Sequence, residues 1–474
     1  MSVRSVVAVA VAVGLGFAGS ARAEGAQDEA KKKEGATVAV AAGEGVTITA
    51  PDGVTGIKIG FYGQFRFQYL KRDIWRRSNL VETFPPFSVQ NYGREEPSFQ
   101  VRRLRLTASG AVWKSWMNYG VEIDLAGNDE GLRHVFIPPV FTAGGVSDFP
   151  GVDITAGPSD QDGRTLKLQD WYLDLTPKPY AQLRMGQFKI PFSRAELVSD
   201  KHLQLAQRSI ANDFFSPGRD RGAMFHGGTD TGRVQYYVGA FNGTGLAQTQ
   251  NLDTTLGYAA RLTATSSGPF LDVEDPVDQP AVKGVRVQGG ISWYQTTDTP
   301  IRQNPQIAES DIRRSSYTAD LALMFPRGNL ILDSYQRRIE VDQGFDLPQS
   351  CYGAFLEGRF SCEQYGYSAQ GGVLLGRART HELALRYAKT DDDKELANDS
   401  TQEETLNYTW FFYKQVMRVS FAVSHIEIGV NAVGSSGYAL KVASPNGDFL
   451  NPADYPGLEG DDNWLGVVQF QWAF

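Results

Sequence analysis

Only two cysteines, Cys351 and Cys362, occur in 474 residues, too few for a protein with several zinc sites. Beyond residue 23 no run of about 18 apolar residues occurs, so no later segment can span a bilayer as a helix. Basic charge is scarce as well: 46 Lys+Arg against 54 Asp+Glu give a net charge of −8. Nucleic acid is therefore not an expected partner, because neutralising phosphates takes a broad basic face. The sequence holds no G-x-S-x-G, no H-E-x-x-H and no P-loop, and its five histidines, His134, His202, His226, His381 and His425, are dispersed. His425 beside Ser424 or Ser420 is the one nucleophile and base pair that can be named, and a strand histidine next to a serine is far more often an ordinary lumen or interface residue. The run Asp391-Asp392-Asp393 with Glu395 lacks the Gly and the final Glu of a calcium loop and reads as a solvated loop. No catalytic residues, metal or cofactor are expected, and the chain does not read as an enzyme.

Glycine and aromatic residues are plentiful: 50 Gly, 20 Tyr and 27 Phe. Aromatic side chains suit a pleated surface, and glycine marks its turns and bulges. Residues 1–23 read as a secretory signal peptide, with Arg4 as the charged region, Val6 to Phe17 as the apolar core and Ala21-Arg22-Ala23 as the cleavage site. A G-x-G-x-x-G match at Gly14 to Gly19 lies inside that apolar core, without a preceding strand or a following helix, and is set aside. Residues 24–50, with Lys31-Lys32-Lys33, carry no sustained period and read as a flexible mature N-terminus.

From Ile57 the pattern changes. Ile57, Ile59, Phe61, Phe65, Phe67 and Tyr69 alternate with Lys58, Tyr62, Gln64, Arg66 and Gln68, a period of two that outlasts the usual globular strand. The signature recurs near 57–70, 99–113, 116–125, 166–175, 181–188, 223–229, 233–242, 257–266, 285–295, 314–325, 329–338, 364–375, 381–389, 403–412, 415–428 and 463–474. Tight turns at Lys114-Ser115, Pro177 to Pro179, Asp230 to Gly232, Pro326 to Gly328 and Gly376 to Thr380 alternate with long segments at 71–98, 126–165, 189–222, 296–313, 339–363 and 429–462. Residues 51–474 are thus expected to form an all-β fold, a 16-stranded antiparallel transmembrane β-barrel with short periplasmic turns and long outer loops. Such a barrel satisfies every backbone hydrogen bond between strands, which hydrocarbon demands. Gly268 to Lys283 breaks the rule, being long where a short turn belongs. A propeller or tandem sandwich also alternates, but would show shorter strands and a fixed internal repeat.

Basic residues on the polar faces carry the functional signal. Arg66, Arg103, Arg105, Arg184, Arg261, Arg286, Arg386 and Arg418 fall on or near those faces and could present fixed positive charge to a passing ion. Glu122, Asp124, Asp170, Asp174, Asp320 and Glu382 share the interior, so a mutually neutralising lattice that braces the wall is the competing reading. Cys351 and Cys362, close together in an exported chain, are expected to pair. In the segment 186–222, Ser193 and Glu196 form a capping box, S-x-x-E, which predicts a short helix near 194–211. Its apolar residues Leu197, Leu203, Leu205 and Ile210 need a surface to pack on, and the inner wall is the nearest, so this loop is expected to fold inward and narrow the pore.

Gly186-Gln-Phe-Lys-Ile-Pro-Phe-Ser-x-x-Glu-Leu, the Leu203 to Asn212 stretch, Arg219-Asp-Arg-Gly-Ala-Met, Val234 to Gly243 and Tyr258 to Thr265 resemble the phosphate-selective porins, the porin O/P family. The resemblance covers roughly residues 45–474. It implies a 16-stranded barrel, usually a homotrimer, whose third long loop folds inward while arginines and lysines guide anions such as phosphate. By match to that motif, Lys189, Arg194, Arg208, Arg219 and Arg221 belong to the constriction. Bacterial outer-membrane lipid, lipopolysaccharide and small anions are the partners it implies. The mature chain is acidic, which leaves a non-selective general porin as the alternative, with a barrel enzyme or adhesin behind it.

Overall fold

A computed structural model describes residues 35–77 except 42 and 44, then 89–126, 134–136, 153–155, 166–247, 251, 255–267, 273–275, 277, 284–298, 311–341, 351, 358–429 and 461–474. The signal-peptide expectation for residues 1–23 lies outside the described residues.

Sixteen strands form the wall. They are β1 Gly56–Arg77, β2 Val89–Val112, β3 Lys114–Asp124, β4 Lys167–Lys178, β5 Ala181–Lys189, β6 Arg219–Gly228, β7 Val234–Phe241 and β8 Gly257–Thr265. Then come β9 Arg286–Asp298, β10 Ile312–Phe325, β11 Gly328–Val341, β12 Ser361–Leu375, β13 His381–Asp391, β14 Ser400–Tyr413, β15 Met417–Ile428 and β16 Asp461–Ala473. Each pairs antiparallel with its sequence neighbours, and β16 pairs with β1 from Asn463↔Arg72 to Ala473↔Tyr62. The barrel is therefore closed, as the alternation and loop asymmetry led us to expect. The carboxyl-terminal Phe474 seals the seam by exchanging backbone hydrogen bonds with Phe61, at 2.6 and 2.8 Å.

Parity decides what each wall residue faces. In β8 burial alternates through Gly257–Thr265, with Ala259, Arg261 and Thr263 buried and Tyr258 and Leu262 exposed. The exposed set is apolar and faces the bilayer; the buried set faces the lumen. Trp113, Tyr180, Phe325, Trp410 and Phe474 are exposed at the short-turn rim, where amphipathic rings sit at the headgroup level.

Two differences from the sequence reading stand out. Within 24–50, expected to be flexible, Thr37–Ala41 and Gly45–Thr49 form a hairpin whose second strand pairs with β1 from Val46↔Ile59 to Thr49↔Gly56. Because β16 ends opposite Tyr62, the start of β1 is an open edge there, and the hairpin covers it. Asp392 and Asp393, read as part of a solvated loop, are both 1% exposed. Arg359 pairs with Asp393 at 2.8 Å, and the Asp393 backbone N–H donates to Asp399.

Candidate functional site: a constriction inside the barrel

Between β5 and β6 the chain turns into the lumen. Ser193 caps α1, Arg194–Leu197, its hydroxyl accepting the Glu196 N–H at 3.0 Å. A 3₁₀ turn follows at Asp200–His202, and Ser209 caps α2, Ile210–Phe215, by accepting the Asn212 N–H at 3.1 Å. The single helix expected near 194–211 is thus broken into pieces. The physical cause is visible in the Glu196 carboxylate, which does not close a capping box but binds Arg208 at 3.5 Å and accepts from Asn212. Bending the chain back on itself lets its own polar groups satisfy one another.

Apolar residues anchor the segment. Ile190, Phe192, Ala211 and Phe215 pack with Phe188, Met224, Phe241, Ala259, Tyr294, Tyr335 and Ala388 in one buried cluster, and Phe215 stacks on Tyr335 with centroids 5.5 Å apart. Fully burying each of Ile190, Phe192 and Phe215 contributes about 1.5–3 kcal/mol. Glycines in the wall open sockets for it. A Cβ at Gly366 would come within 2.4 Å of the Phe215 ring, and one at Gly372 within 2.2 Å of the Gln204 amide nitrogen.

Most of the arginines singled out from sequence touch this segment. Arg66 donates to the Ala206 carbonyl at 2.8 Å, Arg261 to the Phe192 carbonyl at 2.7 Å and Arg386 to the Gln207 carbonyl at 2.7 Å. Asp200 is a hub: Arg103 reaches it at 3.2 Å, Arg105 at 2.8 Å, and Arg208 also bonds it. Burial alone would raise that carboxyl, but Arg103, Arg208 and Arg105 outweigh it and hold Asp200 well below the usual carboxylate range. Lys189 donates to the Glu196 carbonyl at 2.6 Å, and Arg208 to the Ala195 and Val198 carbonyls at 2.8 and 2.7 Å. Both cations thereby satisfy carbonyls at the end of α1 that have no partner within the helix.

The remaining expected residues lie around this core. Arg105 also bonds Glu122 and Asp124, and Arg219 bonds Asp170 at 2.8 Å and Glu122 at 3.4 Å, so these charges form one lattice along β2 to β6. Arg184 pairs with Asp174 at 2.5 Å and lies over the Tyr172 ring. Arg194 donates to the Val273 carbonyl, Arg418 faces Asp275 at 3.7 Å, Arg286 is buried in β9, and Arg221 is half-buried in β6. Sequence reasoning missed Arg102. A register shift in which Gln64 faces Arg103 and Phe65 faces Val101 leaves Arg102 as an extra residue in β2, within electrostatic reach of Arg66. Only a break in the alternation at Arg102-Arg103 signalled it.

Cys351 and Cys362 are joined, as expected, and pack with Ile312, Ile339 and Val341. The Ser/His pairing is not formed: Ser424 meets the Thr405 hydroxyl on the buried face of β15, while His425 contacts Asp462 and Trp464 at the outer end. Among the described residues no group of three His, Cys, Asp or Glu is placed to hold a metal ion.

Residues 84–274 match the family model described as phosphate-selective porin O and P. No curated protein matches the chain. Among solved structures, an anion-selective porin from Comamonas acidovorans is similar at 10% identity and TM-score 0.49, covering 88% of this chain and 99% of that one. The outer-membrane channel DcaP of Acinetobacter baumannii is similar at 11% identity and TM-score 0.46, covering 88% and 97%. The barrel described above rests on its own hydrogen-bond ladder, not on these distant likenesses. The matched stretch, residues 84–274, holds the segment that folds into the lumen, and over it the chain is similar to the phosphate-selective porin O and P family.

Proposed function

We propose that the barrel is a water-filled channel for passive diffusion of small solutes, narrowed by residues 190–218 and modestly selective for anions. The observation that carries this reading is a polar lumen in which that segment is bolted to the wall by arginines from β1, β2, β8 and β13. Lys189, Arg184, Arg221 and Arg102 remain half-exposed around it, and the family match spans the same region. Fixed cations at a constriction act on an ion at short range and reduced dielectric, so they outweigh carboxylates in the distant loops. The expected partners are outer-membrane lipid, lipopolysaccharide and small anions, with a homotrimer as the family resemblance implies.

A second reading, a general porin without ion preference, draws on the same lattice. The Glu122 and Asp170 side chains are 16% and 19% exposed where their partners Arg105 and Arg219 are 1% and 6%, so acidic edges also reach the water. Reversal potentials of the full chain in planar bilayers under a salt gradient separate the two. Anion preference should strengthen as salt falls from 0.1 M, where charges are screened beyond about 10 Å, to 0.01 M, where they reach about 30 Å. A pore without preference at both concentrations supports the general porin, and a chain that does not conduct overturns both.

A further inference from the structure

The β8–β9 connection leaves β8 at the short-turn rim, opposite the long loops, and its described residues Val273, Glu274 and Asp275 meet the inward segment just inside that rim, beside Asn329 and Gln415. Val273 offers its carbonyl to Arg194, and the Glu274 N–H donates to the His202 carbonyl at 3.1 Å. The Glu274 carboxylate accepts from the Gln204 backbone N–H at 2.9 Å and from the Gln370 side chain of β12 at 3.1 Å, while its carbonyl accepts from Asn329 of β11. Gln204 in turn bonds Asn329 and Glu382. Asp275 is fully buried between Gln415 and Arg418 at the start of β15. One short stretch therefore ties the tip of the inward segment to three wall strands on the far side of the lumen.

We propose that Glu274 and Asp275 are positioning residues that hold the constricting segment in its narrow arrangement from the inner rim, so that two segments entering from opposite ends set the size of the pore. Glu274 does this as a hydrogen-bond acceptor, since its partners are a backbone N–H and a carboxamide; Asp275 does it as a charge opposite Arg418. A short turn would close the β8–β9 hairpin equally well, and burying two carboxylates in the lumen carries a desolvation cost that closing the hairpin does not require. The inference rests on the channel reading.

The test is single-channel conductance of the full chain and three variants in planar bilayers, with heat-induced unfolding in detergent as the check on the wall. Glu274→Ala should raise conductance while the unfolding temperature stays at the wild-type value, and Glu274→Gln, which keeps an acceptor oxygen, should restore wild-type conductance. A variant with His202→Cys and Glu274→Cys keeps the backbone hydrogen bond between the two residues, removes the Glu274 carboxylate and offers a disulfide as the tie in its place. It should conduct like wild type when oxidised and more when reduced, whereas wild type given the same reductant should not change. A silent wild type would defeat the channel reading itself. A conducting wild type with all variants indistinguishable from it, or a Glu274→Gln variant as open as Glu274→Ala, would overturn the positioning role.

Discussion

Along the wall a residue's task is set by parity, whereas in the segment the wall encloses it is set by one partner at a time. In β8 and β11 any apolar residue of reasonable size serves at the exposed positions, and the backbone ladder holds regardless. In residues 190–218 regular structure is limited to short helical pieces, and position depends on Phe215 against Tyr335, Gln204 in the Gly372 socket and Asp200 among three guanidiniums. The wall should thus be tolerant of substitution and slow to unfold, and the constriction locally fragile.

Asp200 gives the sharpest way to break this contrast. Removing one partner of a buried ionic cluster leaves uncompensated charge and costs about 3–5 kcal/mol, so Asp200→Asn should loosen the segment and leave Arg103, Arg105 and Arg208 to draw anions. Reversal potentials should move further toward anions, with barrel unfolding little changed. Phe215→Ala removes the apolar anchor, a loss of about 3–5 kcal/mol for a buried Phe, and should appear as noisier, larger open-channel current. The wall counterpart is Leu385→Arg on the exposed face of β13. A cation facing lipid costs about 2–4 kcal/mol near the bilayer midplane, and here unfolding should fall in temperature while conductance stays as in wild type.

The same contrast explains what the sequence disclosed. All sixteen strands were legible because a period of two sustained over 8 to 24 residues survives local irregularity. The inward fold of 190–218 was legible from Ser193 and from its apolar residues. Its break into α1 and α2 was not, because the break depends on Arg208 and Asn212 reaching Glu196 across the segment. Arg102 was hidden by a bulge, and the amino-terminal hairpin by its brevity and small side chains. Alternation puts the arginines of β1, β2 and β8 on the buried face of the wall, but it says nothing about what such a side chain touches. Only the fold reveals that Arg66, Arg103, Arg105 and Arg261 meet the segment itself.

The smallest expected effect lies in the outer loop at 392–399. Burial first, and Asp391 next, push the Asp399 carboxyl up to about 8 from an ordinary 3.8. A carboxyl raised by folding contributes stability below 3.8 that is lost as the pH climbs toward about 8. Limited proteolysis of this loop should accelerate across that window, and Asp399→Asn should flatten the dependence while the barrel itself remains resistant throughout.

The claim on which the rest depends is that residues 190–218 occupy and narrow the bore. Its most direct test is the single-channel conductance of a variant in which residues 194–211 are replaced by a short flexible linker, compared with the full chain in the same bilayer and salt. The account predicts a larger conductance together with a weakened ion preference, since the narrowest point and much of its charge are removed at once. Equal conductance in the two proteins would place the narrowest point elsewhere and contradict it.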